Sequence, residues 1–202
     1  MNRSCNVKGV ILGHKNFAEN DKTIFLYTEE LGKIKVLAKG SRKMNSKFTG
    51  HLETLNFCDA GLYFGPRNII LTEISTIKQF KELYTDLDKL QNALKIAEIT
   101  NSVIYENQKI DNLHQLLNST LEQIMISKKP QLAAQSYIIK LLDRSGLIPD
   151  FQEVQSNIEK KYLKFFQFLK DKPVYEVERI YLQENEKIQI AKLMDQLLLS
   201  FA

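Results

Sequence analysis

The sequence predicts an α+β protein in two parts: a small antiparallel barrel or sandwich of five short strands over residues 1–78, then an all-helical part over residues 79–202. Three observations predict this. Up to about residue 78 the apolar segments are short, rich in β-branched and aromatic residues, and separated by turn formers. Past about residue 85 apolar residues recur at helical spacing instead. The two parts meet around residues 76–85 without a Gly/Ser linker, so they are expected to pack together.

The strands follow in order. "NVKGVIL" (6–12), "KTIFLYT" (22–28) and "KIKVLA" (33–38) are the first three. "LETLNFCDAGLYF" (52–64) reads as a longer strand, bent or bulged near Ala60 and Gly61. "GPRN" (65–68) is a turn, from which "IILTEISTI" (69–77) returns. Closing so short a sheet on itself removes exposed edges.

The helices come next. Leu87, Leu90, Leu94, Ala97 and Ile104 mark one between Asp86 and Glu106. Asp111 precedes a second, with Leu113, Leu116, Leu117, Leu121 and Ile124 on one face. Pro130 suits the first turn of a third, carrying Ala134, Tyr137, Ile138, Leu141 and Leu142; Gly146 stops it and Pro149 prevents continuation. "IEKKYLKFFQFLK" (158–170) and "ENEKIQIAKLMDQLLLSF" (184–201) are two more, with a short helix after Pro173. Tyr162, Phe165, Phe166, Phe168 and Leu169 ring much of one helix, which reads as buried, with an apolar groove for a partner's tail as the functional alternative. Leu197, Leu198 and Leu199 read as core.

Charge is distributed unevenly. Residues 1–80 hold 12 Lys and Arg against 7 Asp and Glu, whereas the rest of the chain carries a slight acidic excess, so the net +4 belongs to the β-rich part. The excess is concentrated in "KVLAKGSRKMNSKFTGHLE" (35–53). Lys33, Lys35, Lys39, Arg42, Lys43 and Lys47 follow one another without an acid among them, among loop formers such as Gly40, Ser41, Asn45 and Gly50. Such a loop repels itself unless an anion is near, and Lys and Arg neutralise nucleic-acid phosphates without reading sequence. Nucleic-acid binding is therefore favoured over a merely solvated loop, and Arg67 in the 65–68 turn joins the candidates. Ser41, Ser46 and Thr49 are possible phosphate donors. Phe48 is a candidate for base stacking, but for it, and more so for Phe17, Tyr63 and Phe64, core packing is the stronger reading.

Other chemistry finds little support. Cys5 and Cys58 make no Cys-x-x-Cys pair and no disulfide framework, and His14, His51 and His114 lack ligand spacing, so no metal or cofactor is expected. Glu19, Asn20 and Asp21 read as a strand connection rather than a carboxylate site. "AKGSRK" lacks the phosphate-loop pattern, and no nucleophile elbow is present, so no enzyme is expected. "MNRSCNVKGVILGHKN" has too short an apolar core for a signal peptide, and no stretch approaches a membrane span; a cytoplasmic location is expected.

Across residues 8–53 the ordered pattern Glu19-x-Asp21, Thr28-x-x-x-Gly32, Lys39-Gly40-x-Arg42, Ser46 and Gly50-x-Leu52 resembles the RecO family of DNA repair and recombination mediators. "LLDRSGLIPD" (141–150) matches as well. The resemblance implies an N-terminal OB-fold over residues 1–78 and a helical domain over residues 79–202. It implies binding of single- and double-stranded DNA, annealing of complementary strands, and work with RecR to load RecA on DNA coated by single-strand-binding protein (SSB), whose C-terminal tail docks on the helical domain in some members. Lys39, Arg42, Lys43 and Lys47 fall where the family's basic surface lies. Many relatives carry a cysteine-rich zinc module after the Gly-x-x-Pro segment; this chain has "FQEVQSNIEKKYLKFF" there, so no zinc site carries over. An RNA-binding OB module and a protein–protein adaptor are the competing readings.

Overall fold

The computed structural model describes residues 3–148 and 159–199. Its first part is a closed barrel of five strands: β1 (Ser4–Phe17), β2 (Asp21–Thr28), β3 (Gly32–Ala38), β4 (Phe57–Phe64) and β5 (Ile69–Lys78), in the order β1-β2-β3-β5-β4. This is the strand order of an OB-fold, as expected. β1 closes it by serving two neighbours, its first half pairing with β4 and its second with β2. A register break between Ile11 and Gly13 bends β1 where it changes partners. β3 and β5 run parallel and pair through just Val36–Ile69 and Leu37–Ile70, the shortest ladder in the barrel. The predicted irregularity in β4 is a register shift between Gly61 and Leu62.

Strand alternation sends Ile24, Leu26, Ile34, Val36, Cys58, Ala60 and Leu62 into the barrel. One end of this core is filled by Phe48 and Leu52, which do not belong to any strand. The predicted strand 52–64 therefore begins later, at Phe57. Residues 52–56 are the end of the basic loop, and Leu55 there has φ 75, which no strand residue adopts.

Five α-helices follow among the described residues: α1 (Leu87–Val103), α2 (Leu113–Ile126), α3 (Pro130–Arg144), α4 (Lys160–Asp171) and α5 (Glu184–Leu199). A 3-10 helix, Lys81–Thr85, leads into α1, and another, Val174–Arg179, is the short helix expected after Pro173. α1 starts where the Asp86 carboxylate accepts from the backbone N–H groups of Asp88 and Lys89, at 3.1 and 3.2 Å. α3 opens on Pro130 and ends at Gly146 (φ 69), with the Leu147 N–H donating to Leu142 O at 2.9 Å. The expectation for Pro149 lies outside the described residues, as do Ile158 and residues 200–201 of the predicted last two helices.

α3 is the hub, buried around nearly its whole circumference against α1, α2 and α4. Tyr162, Phe166 and Leu169 of α4 are buried and Phe165 and Phe168 half-buried, so this aromatic ring is core rather than an open groove. Leu197 and Leu198 pack on the same core; Leu199 does not, being 73% exposed at the end of its helix. Val10, Leu12, Tyr27 and Leu55, on the outer side of the barrel, belong to this helical core too. The barrel and helices thus share apolar surface, sealed by the Tyr27 hydroxyl, which donates to Ile110 O at 3.2 Å and accepts from Ile110 N–H at 3.0 Å.

Candidate nucleic-acid interface

The stretch between β3 and β4 is a chain of tight turns. Lys43 N–H donates to Gly40 O, Ser46 N–H to Lys43 O, Thr49 N–H to Ser46 O and His51 N–H to Phe48 O, at 3.0–3.2 Å. Gly40 (φ 67) and Gly50 (φ 78) supply the left-handed positions these turns need. Phe48 and Leu52 anchor the loop in the barrel, so its lysines stand on a packed scaffold.

The ordered motif residues build this scaffold. Asp21 Oδ1 accepts from Gly40 N–H at 2.7 Å, and the Arg42 guanidinium donates to Glu19 O at 2.9 Å while its backbone N–H donates to Asn20 O at 2.9 Å. The Glu19–Asp21 connection and the Lys39–Arg42 stretch are thereby clamped together. Thr28 Oγ1 donates to Gly32 O and accepts from Leu31 N–H, both at 3.0 Å, closing the β2–β3 turn. Ser46 Oγ accepts from Phe48 N–H at 3.2 Å.

The seven predicted cations separate into three groups. Lys33 is not on the surface: it is 7% exposed, and its ammonium donates to Asn101 O and to Ile104 O, the latter at 2.8 Å. Its chemistry is that of a helix C-terminus, where carbonyls without intrahelical partners attract a cation. Arg42 and Lys47 are exposed but engaged, Arg42 with the β1–β2 connection and Lys47 with Thr72 O at 2.5 Å and the Phe48 ring at 5.3 Å. Lys35, Lys39, Lys43 and Arg67 are exposed, and among the described residues their charged ends meet no carboxylate.

Lys35 and Arg67 face one groove of about 330 Å³ beside the short β3–β5 contact. Phe17 lines it and is 51% exposed, contrary to the expected core packing, because it is the last residue of β1, paired with Asp21 at the tip of the β1–β2 hairpin. Phe64 is at the margin of exposure and Tyr63 is half-buried. The groove's remaining wall includes Glu106 and Asn107, from the turn after α1. That turn is laid along β3: Asn107 N–H donates to Lys33 O at 2.7 Å and Lys33 N–H to Gln108 O at 3.1 Å. Glu106 and Asn107 carry no local signal in the sequence, since only this long-range pairing brings them to the site.

Among the described residues, no group of three or more His, Cys, Asp or Glu side chains could hold a metal ion, and no helix is long and apolar enough to cross a membrane. Residues 151–158 of the segment where the resemblance would place a cysteine-rich module lie outside the described residues.

Comparison with known proteins agrees with this architecture. Residues 1–81 match the family model described as Recombination protein O N terminal, and residues 84–154 match Recombination protein O C terminal. The chain is 26% identical over 165 residues to the DNA repair protein RecO of Thermoanaerobacter sp. (strain X514), covering 81% of this chain and 66% of that protein. It is 32% identical over 154 residues to the DNA repair protein RecO of Dehalococcoides mccartyi (strain CBDB1), covering 76% and 60%. The protein of the same name from Clostridium novyi (strain NT) is 28% identical over 150 residues, covering 72% and 57%. The match thus spans less than two thirds of each relative's own length.

Proposed function

The chain belongs to the RecO family of DNA repair proteins, and from that membership we infer that it is a recombination mediator that binds single- and double-stranded DNA and anneals complementary strands. The observation that carries this reading is a set of exposed cations whose charged ends meet no carboxylate among the described residues: Lys35 and Arg67 lining one groove, with Lys39 and Lys43 on the loop into which β3 runs. Two complementary strands repel through their phosphates. A surface that neutralises both lowers that barrier, and base pairing then proceeds without fuel. In this reading residues 1–78 form the DNA-binding domain and residues 79–202 the helical domain, working in the cytoplasm on the nucleoid.

The partners proposed are RecR, RecA indirectly, and the SSB tail. A cavity of about 390 Å³ between α3, α5 and the connecting segment 180–182 supports tail docking. Leu132, Ile180, Leu182 and Ile190 give it apolar walls, and Lys128, just before α3, lines it together with the acid Asp88 of α1. That combination suits a peptide ending in an apolar side chain and a carboxylate.

Fluorescence anisotropy with labelled oligonucleotides tests the DNA reading. If Lys35, Lys39, Lys43 and Arg67 each meet one phosphate, the log–log salt slope on single strands is about −3. The double variant Lys39→Glu/Lys43→Glu should weaken binding alike for every sequence and reduce that slope by about 1.4. These lysines are better targets than Arg42, whose loss would also release the β1–β2 connection. Unchanged titrations would remove the loop from the interface. A parallel RNA titration separates the competing module, because a strong RNA preference would require contacts to the 2′-OH. Annealing of complementary oligonucleotides, with and without SSB, tests the mediator role itself.

A further inference from the structure

The groove beside the β3–β5 contact contains a feature that phosphate binding does not explain. Lys35 and Arg67 suit a phosphate, but Glu106 lines the same groove, exposed; its carboxylate lies within electrostatic reach of the buried Lys33 ammonium, yet among the described residues it forms no ion pair and accepts no hydrogen bond. A carboxylate repels a phosphate, so a groove serving only the backbone would be better without it. Its position is also held. Tyr105 N–H donates to Gln108 Oε1 at 2.9 Å, Asn107 N–H donates to Lys33 O at 2.7 Å, and Asn107 takes the left-handed conformation (φ 65) that the tight turn requires.

We propose that this groove is a one-nucleotide subsite for an unpaired base carrying an exocyclic amine, with Glu106 reading the base edge and turning thymine away. The inference rests on the DNA-binding reading above and deepens it. Phe17, half-exposed at the end of β1, offers the face on which a base stacks. Lys35 and Arg67 take the adjoining phosphates. The Glu106 carboxylate only accepts hydrogen bonds, and cytosine N4 is a donor there. Thymine presents carbonyl oxygens on either side of its single N–H, and these meet the carboxylate as like to like. The Asn68 and Asn107 amides donate or accept as the rest of the edge demands. A paired base has these groups occupied, so the subsite takes single strands.

The test is an anisotropy titration of the whole chain at low salt with labelled dC and dT 15-mers, on wild type, Glu106→Gln and Phe17→Ala. The wild type is expected to bind the dC oligonucleotide about tenfold more tightly than the dT one. Glu106→Gln, which can donate as well as accept, should bring that ratio close to one, chiefly by improving dT binding. Phe17→Ala should weaken both by about tenfold and leave the ratio unchanged. DNA binding with no preference in the wild type, or with the same preference in Glu106→Gln, would overturn the subsite and leave the parent reading standing. No binding to either oligonucleotide would overturn both. Both substituted residues lie at the surface, and circular dichroism would verify that the variants fold.

Discussion

The Lys33 ammonium donates to the Ile104 carbonyl at 2.8 Å, tying the third barrel strand to the end of the first helix. Asn101 O, one turn earlier, accepts from the same group. A cation with the composition of a DNA contact is therefore spent on closing a helix, and the backbone on either side of it pairs with Asn107 and Gln108. Burial pushes this ammonium below its ordinary pKa, against a smaller upward pull from Glu106.

Lys33→Met should accordingly destabilise the fold, by about 2–3 kcal/mol, because two carbonyls lose a charged donor in a buried place. Lys35→Met, two residues on and exposed, should change stability by less than about 0.5 kcal/mol. In DNA titrations the order inverts: Lys35→Met weakens binding, whereas folded Lys33→Met binds as the wild type does. Urea denaturation and anisotropy on the two proteins decide this. A stability effect at Lys35 equal to that at Lys33 would contradict the division.

Gly32 is the second hinge of the same contact. It has φ 68, and a Cβ there would run into the Gln108 carbonyl. Gly32→Ala combines a left-handed penalty with a backbone overlap that no side-chain rotation relieves. A loss of about 2 kcal/mol or more is expected. Gly13→Ala, with open space around its Cβ, is the control and should cost far less. Thermal melts of both variants provide the comparison.

The barrel and helices were legible in the sequence because their periods differ, and each predicted strand has its counterpart. What was not legible depended on distant contacts. Lys33 and Lys35 are two apart and emerge on the same face of β3. Nothing local separates them, and the difference is the turn 105–108, which covers one and leaves the other open. Leu52 and Leu55 were apolar enough to be read as strand, but they plug a loop into two different cores. Phe17 looked like core because an aromatic usually is, and its place at the tip of the β1–β2 hairpin exposes it. The family-pattern residues have a physical role of their own, since Asp21 and Gly40 are bonded to each other.

The two thiols should differ sharply in reactivity. Cys58 is buried in the barrel, its Sγ donates to Gly9 O at 3.4 Å, and burial, with a smaller push from Asp59, raises its pKa to about 12. Cys5 is half-buried, and burial and Glu30 raise it to a lesser degree. Because the thiolate is the reacting species, Ellman's reagent at pH 8 should modify Cys5 first and reach Cys58 only as the barrel unfolds. Two thiols reacting together in native buffer would contradict the closed barrel.

Lys140 gives a pH dependence with a defined sign. It sits on α3 at 9% exposure, and its ammonium donates to the last carbonyls of α4, Leu169 O and, at 2.9 Å, Lys170 O. Burial, reinforced by Arg144 and opposed by Asp171 and Asp143, lowers its pKa from 10.5 to about 8. Below pH 8 both folded and unfolded chains carry the proton, and the fold bears the full cost of burying the charge. Between about 8 and 10.5 the folded chain has released it while the unfolded chain has not, so unfolding takes up a proton and stability rises with pH. Above that window the contribution is level. The difference in unfolding free energy between wild type and Lys140→Met cancels groups that titrate alike in both proteins. It should climb from pH 8 to 10.5, with a limiting slope of about 1.4 kcal/mol per pH unit. The lost carbonyl contacts add a constant offset that does not alter the slope. Urea titrations at intervals across the window measure it, and a flat difference would mean that the α4 carbonyls hold the proton on Lys140 as firmly as water does.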